Sequence, residues 1–298
     1  MKKIIFTLLL TAFVIPSVNL SADASLISDR SYRIEQKRIQ KQDIANIKKL
    51  IKSHNLYANK HDIKNLEPLY SDNYMNNDGF NKKTYFKSVE STWESCNNLT
   101  YDTKITSIDI NGDNANVNVI ETASGTISEH IGDMTLAGEI HSTAKGIYHL
   151  SKINENWYIT GETGLDEESS LLYGDARFMN IELQAPNQVA SGETYTVSLK
   201  VDADKDTFII GSIDSDPVTY PSTTPENKMR ALNTQTQTLE RLITANTDNI
   251  NEYAVASMAI SKVQNVSEEN FKIYMAGLAC IMKRVNVIPK NNYIKIED

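Results

Sequence analysis

The sequence predicts an α+β protein: three helices laid on a curved antiparallel sheet, followed by an all-β sandwich that carries a helical insertion. Three observations lead there. Apolar residues from Ile44 to Trp93 recur at three- and four-residue steps, the spacing of one helix face. From Thr103 to Thr160 the period falls to two, as in half-buried strands. Beyond Leu165 a polar break intervenes, and the alternation then resumes in short runs separated by turn residues.

Composition narrows the function. The chain has 298 residues, 40% hydrophobic and 23% charged, enough for one large domain or two ordinary ones. Its 30 Lys and Arg against 38 Asp and Glu leave a net charge of −8, which argues against a nucleic-acid partner, since that needs a basic face. The two cysteines, Cys96 and Cys280, exclude a disulfide-rich scaffold and a four-cysteine zinc site, and are read as small apolar residues. There is no Walker motif and no G-x-G-x-x-G. None of His54, His61, His130, His141 and His149 stands in an H-E-x-x-H or H-x-H pattern, so no cofactor and no metal is expected.

The elements follow in order. Met1-Lys2-Lys3, the apolar stretch Ile4–Ile15 and the small residues Ser21–Ala24 form the three parts of a signal peptide, residues 1–24. The stretch is too short to span a bilayer, so the chain is expected to be exported, periplasmic or secreted, without stable membrane insertion. Residues 25–43 are a polar leader, a solvated helix by its charge pattern. The domain of residues 44–165 opens with a helix carrying Ile44, Ile47, Leu50, Ile51, Leu56 and Tyr57. Asp62 caps the next helix, with Ile63, Leu66 and Leu69. Asn81 caps a third, with Tyr85, Phe86, Val89 and Trp93. Strands are expected over 103–110, 115–129, 137–151 and 157–160, with turns at Asn111-Gly112-Asp113 and Asn154-Glu155-Asn156. Residues 166–177 read as a linker. In 178–298, strands surround Ile181, Val197, Ile209, Val255 and Ile281. Between them Thr224-Pro225-Glu226 starts an insertion of two short helices, with Met229, Leu232, Leu239, Leu242 and Ile243 as apolar positions.

Two resemblances accompany this reading. The run from Tyr57-Ala58-Asn59-Lys60-His61-Asp62 to Asn73-Tyr74, with the closing Tyr148…Asn156-Trp157-Tyr158-Ile159, resembles the opening and final hairpin of NTF2-like (SnoaL-like) domains. One departure is His61, where that family often has Gly. Pro186, Ser191-Gly192-Glu193 and Tyr195-Thr196-Val197 resemble the opening of bacterial Ig-like domains, without their paired cysteines. The first resemblance implies helices across the concave face of the sheet and a cone-shaped pocket. In catalytic members an Asp, Glu or His and one or two Tyr line it.

Parity supplies candidates for that pocket. Val117 and Val119 alternate with Asn116 and Asn118, so their face turns inward, and Glu121 follows it. Glu139 and His141 lie on the neighbouring strand, where Ile140 and Ala144 compete for the interior and a single bulge reverses the face. Tyr57, Tyr74, Tyr85 and Trp93 are placed at the mouth. A carboxylate in an apolar cone has a raised pKa and serves as general acid or base. The competing reading puts Glu121 in water and the aromatics in the core.

The leading function is an exported, non-catalytic binding or interaction protein whose cone holds a small apolar or amphipathic ligand. The alternative is an isomerase, cyclase or dehydratase of the SnoaL-like kind with Glu121 or His141 as acid or base. A third class is a cell-envelope structural protein docking a partner through the Ig-like domain. The partners considered are therefore a small apolar ligand, an envelope protein and a second copy bound through the free face of the sheet. The leader carries a direct test. Protein recovered from its host is expected to begin at Ser25 on N-terminal sequencing, and a form that keeps Met1 would refute export through this segment.

Overall fold

The computed structural model describes residues 22–131, 134–204, 207–221, 228–233, 235–265 and 271–290. All but the last three residues of the expected leader lie outside them, as does Thr224-Pro225-Glu226. The chain divides into two compact units, one ending at Ala45 and one beginning at Asn46. In the first, the early turns of helix α1 (Ala22–Asn59) are exposed over residues 33–42, and Arg38 bridges Glu35 one turn away at 2.8 Å.

In the second unit, the end of α1 buries Ile47, Ile51 and Ala58 at helical spacing. The helix stops where His61 adopts φ 50°, a left-handed conformation that ends helices and favours Gly. The Asp62 side chain then accepts from Asn65 N and starts α2 (Ile63–Leu66). A 3-10 turn leads into β1 (Tyr70–Asn76), and the Asn81 side chain, accepting from Thr84 N at 3.0 Å, caps α3 (Lys82–Ser95). Four long strands follow: β2 (Thr100–Asn111), β3 (Asn114–Ile131), β4 (Met134–Ile153) and β5 (Asn156–Gly174). Gly112 at φ 59° turns β2 into β3. Asn154 and Glu155, at φ 48° and 64°, turn β4 into β5. The rest of the chain is β6 (Asn180–Gln184), β7 (Gln188–Ala190), β8 (Thr194–Asp202), β9 (Thr207–Pro217), β10 (Arg230–Ala231), β11 (Thr238–Thr244), β12 (Glu252–Asn265) and β13 (Phe271–Ile288).

The predicted fold class needs correction. Thirteen strands stand against three α-helices among the described residues, so the protein is mostly β. Nor is there a separate Ig-like sandwich. One sheet runs in the order β10-β9-β12-β13-β5-β4-β3-β2, with β1 beside β5 and β7 beside β13. The second sheet, β11-β8-β6, packs Leu183, Val197, Leu199 and Val201 against Ile213, Ala254, Met258 and Ile281 of the first. The far half of the large sheet therefore packs on the three-stranded sheet and is continuous with β2 to β5.

Two further expectations fail for the same reason. The segment read as a linker, 166–177, is the end of β5 and a 3-10 turn, with Glu168–Gly174 paired to Lys283–Gly277 of β13. Its polar residues have partners that sequence distance conceals: Lys145 meets Asp166 at 3.1 Å, and Tyr253 Oη donates to Glu167 at 2.8 Å. The described part of the helical insertion is extended instead. Leu239, Leu242 and Ile243 lie in β11, paired with β8, and only Leu239 and Ile243 of the three are buried. The run of threonines around them favours a strand.

A buried ion pair ties the early part of this unit to its last strand. Arg284 of β13 grips Asp78, in the turn after β1, with both terminal nitrogens, and Asn251 donates to the same carboxylate at 2.8 Å. The side chains are 3% and 10% exposed. Asp78→Asn is expected to destabilise the protein by about 3–5 kcal/mol in urea denaturation, because it strands a buried cation. Asp78→Ala with Arg284→Met should recover much of that loss. A double-variant loss equal to the sum of the Asp78→Ala and Arg284→Met losses would show that the pair is not coupled.

Candidate functional site

The site lies between the helices and the large sheet. Leu66, Phe86 and Trp93 from α2 and α3, with Ile47 and Ile51 of α1, share a core with Val117, Val119, Tyr148, Leu150 and Ile159 of β3 to β5. Above the sheet this core leaves two adjacent lobes, about 250 Å³ and about 190 Å³, that share Tyr85, Glu121, Ala144 and Tyr148 as walls.

Glu121 is turned inward opposite Ala144. Tyr148 Oη donates to its Oε1 at 2.7 Å and Thr103 Oγ1 at 3.1 Å. Burial raises its pKa, and those two bonds oppose the rise. Both fall on one oxygen, Oε1.

A second carboxylate faces the same space. Tyr70 Oη donates to Glu162 Oε1 at 3.0 Å. Burial, and then repulsion from Glu121, push the Glu162 pKa up to about 8. Both residues are half-buried and border the larger lobe, and burial is the main cause of the raised pKa of each. Neither forms an ion pair among the described residues, and the nearby Arg284 is held by Asp78. Sequence parity misses Glu162. Trp157 and Ile159 point inward, so simple alternation sends Glu162 outward. A bulge intervenes: Ile159 pairs with Leu150, but Gly161 pairs with His149 and Glu162 with Tyr148. The sequence signal is Gly161 itself, a glycine inside a strand pattern. A Cβ there would stand 2.8 Å from Met75 O of β1.

His54 of α1 completes the chain of polar groups. It is 7% exposed, its Nε2 lies 2.8 Å from Tyr70 Oη, and burial lowers its pKa to about 4. Tyr85 Oη is 3.3 Å from Tyr70 Oη. Burial raises the pKa of Tyr70, Tyr74, Tyr85 and Tyr148, so all four phenols are neutral.

The other candidates are distributed differently. Tyr85 borders both lobes and Trp93 the smaller one. Trp93 donates to Tyr101 Oη at 2.9 Å and stacks on His61 at 4.6 Å. Tyr74 is buried behind Tyr85, with ring centroids 5.2 Å apart, and Tyr57 packs half-buried against the core. Glu139 and His141 do not belong to the cavity. On β4 it is Ser142, Ala144 and Tyr148 that face inward, so the odd-numbered pair points to the other side, 3.4 Å from each other, with Glu139 also bridged to Arg177. Tyr253 and Arg284, from β12 and β13, close the larger lobe; the expectation of a pocket built from residues 44–165 alone missed them. Among the described residues no three His, Cys, Asp or Glu side chains converge on a metal position, and no helix is long and apolar enough to cross a membrane.

No protein-family model and no curated protein matches the sequence. Among solved structures the chain is similar to a putative scytalone dehydratase from Novosphingobium aromaticivorans, at 13% identity over 43% of this chain and 86% of that one, with a TM-score of 0.37. It is also similar to the Kfla4162 protein from Kribbella flavida, at 12% identity over 42% and 90% of the two chains and a TM-score of 0.36. A conserved protein from Planctomyces limnophilus matches at 12% identity over 41% and 94%, with a TM-score of 0.31. Each likeness spans less than half of this chain.

The raised pKa of Glu162 makes a stability prediction. Its folded value near 8 lies above the ordinary 4.5, so its contribution is fully present below about pH 4.5 and is lost as the pH rises toward 8. Glu162→Gln removes the titration. Urea denaturation should find the variant about 1–3 kcal/mol more stable than the parent at pH 8, and close to it at pH 5. An unchanged difference between the two pH values would mean that the carboxyl is not held protonated by the fold.

Proposed function

We propose that this protein is an acid–base enzyme acting on a small, largely apolar substrate, with Glu121 as base and Glu162 as acid. The observation that carries the reading is the pair of carboxylates facing one cavity, neither of them in an ion pair among the described residues. Two such groups repel, so the pair holds on to a proton near neutral pH: one is ionised while the other is protonated. Glu121 is the better base because Tyr148 and Thr103 stabilise its carboxylate through Oε1. Glu162, with a pKa near 8, keeps its proton and can give it up.

The elementary steps are those of a dehydratase or an isomerase. In a dehydration, Glu121 removes a proton from carbon, the adjacent C–O bond breaks, and the departing oxygen takes the proton of Glu162 and leaves as water. A proton passed from Glu121 to Glu162 restores the starting state. The resemblance of residues 44–165 to NTF2-like (SnoaL-like) domains, whose catalytic members use a pocket carboxylate, agrees with this reading. Export of the protein, read from the leader, belongs to the same proposal.

The test is isotope exchange. The protein is incubated in deuterium oxide with small cyclic ketones and β-hydroxyketones, and NMR follows deuterium entering the carbon next to the carbonyl. Glu121→Gln and Glu162→Gln should each lower the exchange rate by about 10²–10⁴ while keeping the fold. Retention of a ligand by native mass spectrometry, without exchange by the parent protein on any of these compounds, would favour a binding protein instead.

A further inference from the structure

One side chain from the helices stands where the two lobes of the cavity meet. Tyr85, Glu121, Ala144 and Tyr148 border both lobes. The last three belong to β3 and β4, so the sheet is the floor of this neck and Tyr85, from α3, faces it from above. The Tyr85 ring is packed in place. Its centroid lies 5.4 Å from that of Tyr70, 5.2 Å from Tyr74 and 5.3 Å from Phe86. Its Oη is 3.3 Å from Tyr70 Oη. A ring held on several sides is a fixed divider rather than a swinging one.

The lobes it divides differ in chemistry. The larger is lined by Asp78, Glu162, Glu167 and Arg284 as well as Glu121. Among the described residues of the smaller, Glu121 is the one carboxylate, and His54 is kept neutral by burial. Ala58, Leu66, Val89 and Trp93 supply apolar wall there. Apolar groups are therefore favoured in the smaller lobe and polar groups in the larger.

The two carboxyl groups are also shared unevenly. Glu121 borders both lobes and Glu162 only the larger. An oxygen that takes the proton of Glu162 must then lie in the larger lobe, while carbon beside Glu121 can carry a substituent past Tyr85 into the smaller. That lobe holds about 190 Å³. An apolar cavity of about 150 Å³ holds benzene, so there is room for one ring and not for two fused rings.

We propose that Tyr85 sorts substrates by size: an apolar group of one ring lies in the smaller lobe, while the carbonyl and the departing oxygen stay in the larger. The inference rests on the acid–base reading for the place of the departing oxygen.

Benzylacetone and its naphthyl analogue test it. Neither carries a departing oxygen, so calorimetric titration of the full chain reads binding alone. The parent should bind benzylacetone about tenfold more tightly, although the naphthyl ketone has more apolar surface to bury. Tyr85→Ala opens the neck and should abolish or reverse that preference. Tyr85→Phe keeps the ring and should keep the preference. A parent that favours the naphthyl ketone or binds neither, or a Tyr85→Ala protein with the parent's preference, would overturn the proposal. NMR of the parent keeps it testable if Tyr85→Ala does not fold. The ring protons of bound benzylacetone should show nuclear Overhauser contacts to the methyl groups of Ala58 and Val89, which border only the smaller lobe. Contacts to Val119 and Val218 instead, which border only the larger, would overturn it. None of these readouts needs turnover. Should Glu121→Gln and Glu162→Gln leave exchange intact while the preference persists, the acid–base reading falls and the sorting by Tyr85 stands. Should exchange depend on both carboxyl groups while the preference is absent, only the sorting falls.

Discussion

Strand β5 needs hydrogen-bond partners along both of its edges, and the arrangement of the 46–298 unit follows from meeting that need. One edge is covered by β4 along its whole length, from Asn156 opposite Ile153 to Tyr173 opposite Gly138. The other edge is shared. β1 covers it near Ile159–Glu162 and β13 covers Glu168–Gly174. Between them, side chains take over: Asn77 Oδ1 accepts from Gly164 N at 3.0 Å, and Asn286 donates to Leu165 O at 2.8 Å. A buried strand with bare backbone groups would be costly, so β1 and the C-terminal hairpin are both required where they are.

The same constraint places the carboxylates. While β1 and β13 divide one edge of β5, its pairing with β4 along the other edge carries irregularities on either side of Glu162. The first reverses the parity set by Ile159 and turns Glu162 toward Tyr148. The second does so again before Glu167, which meets Tyr253. Pairing of the backbone thus delivers acidic side chains into an interior that the apolar pattern alone reserves for Val, Ile and Trp.

Once inside, those groups are stabilised by hydroxyls rather than by cations. Tyr70, Tyr148 and Thr103 donate to them, and His54 stands behind Tyr70. Hydroxyl donors partly offset the loss of water without removing the cost of the charge, so the pKa values stay high. A cation such as Arg284 in direct contact would have lowered them and left a structural ion pair. Its guanidinium is committed to Asp78 instead, at the junction with β13. The charges that hold that junction are therefore distinct from the carboxyl groups of the cavity.

The sequence by itself determined what depends on near neighbours. The Asp62 and Asn81 caps, the helical face from Ile47 to Trp93, the alternation that points Glu121 inward and the turns at Gly112 and Asn154 all rest on residues a few positions apart, and each is present. Only the tertiary structure decided which strands pair and where they slip. The linker that is a strand, the insertion that pairs with β8, the outward Glu139 and His141, and the inward Glu162 each depend on partners far along the chain. A one-residue bulge reverses every side chain beyond it, and local periodicity carries no record of the strand that will impose one.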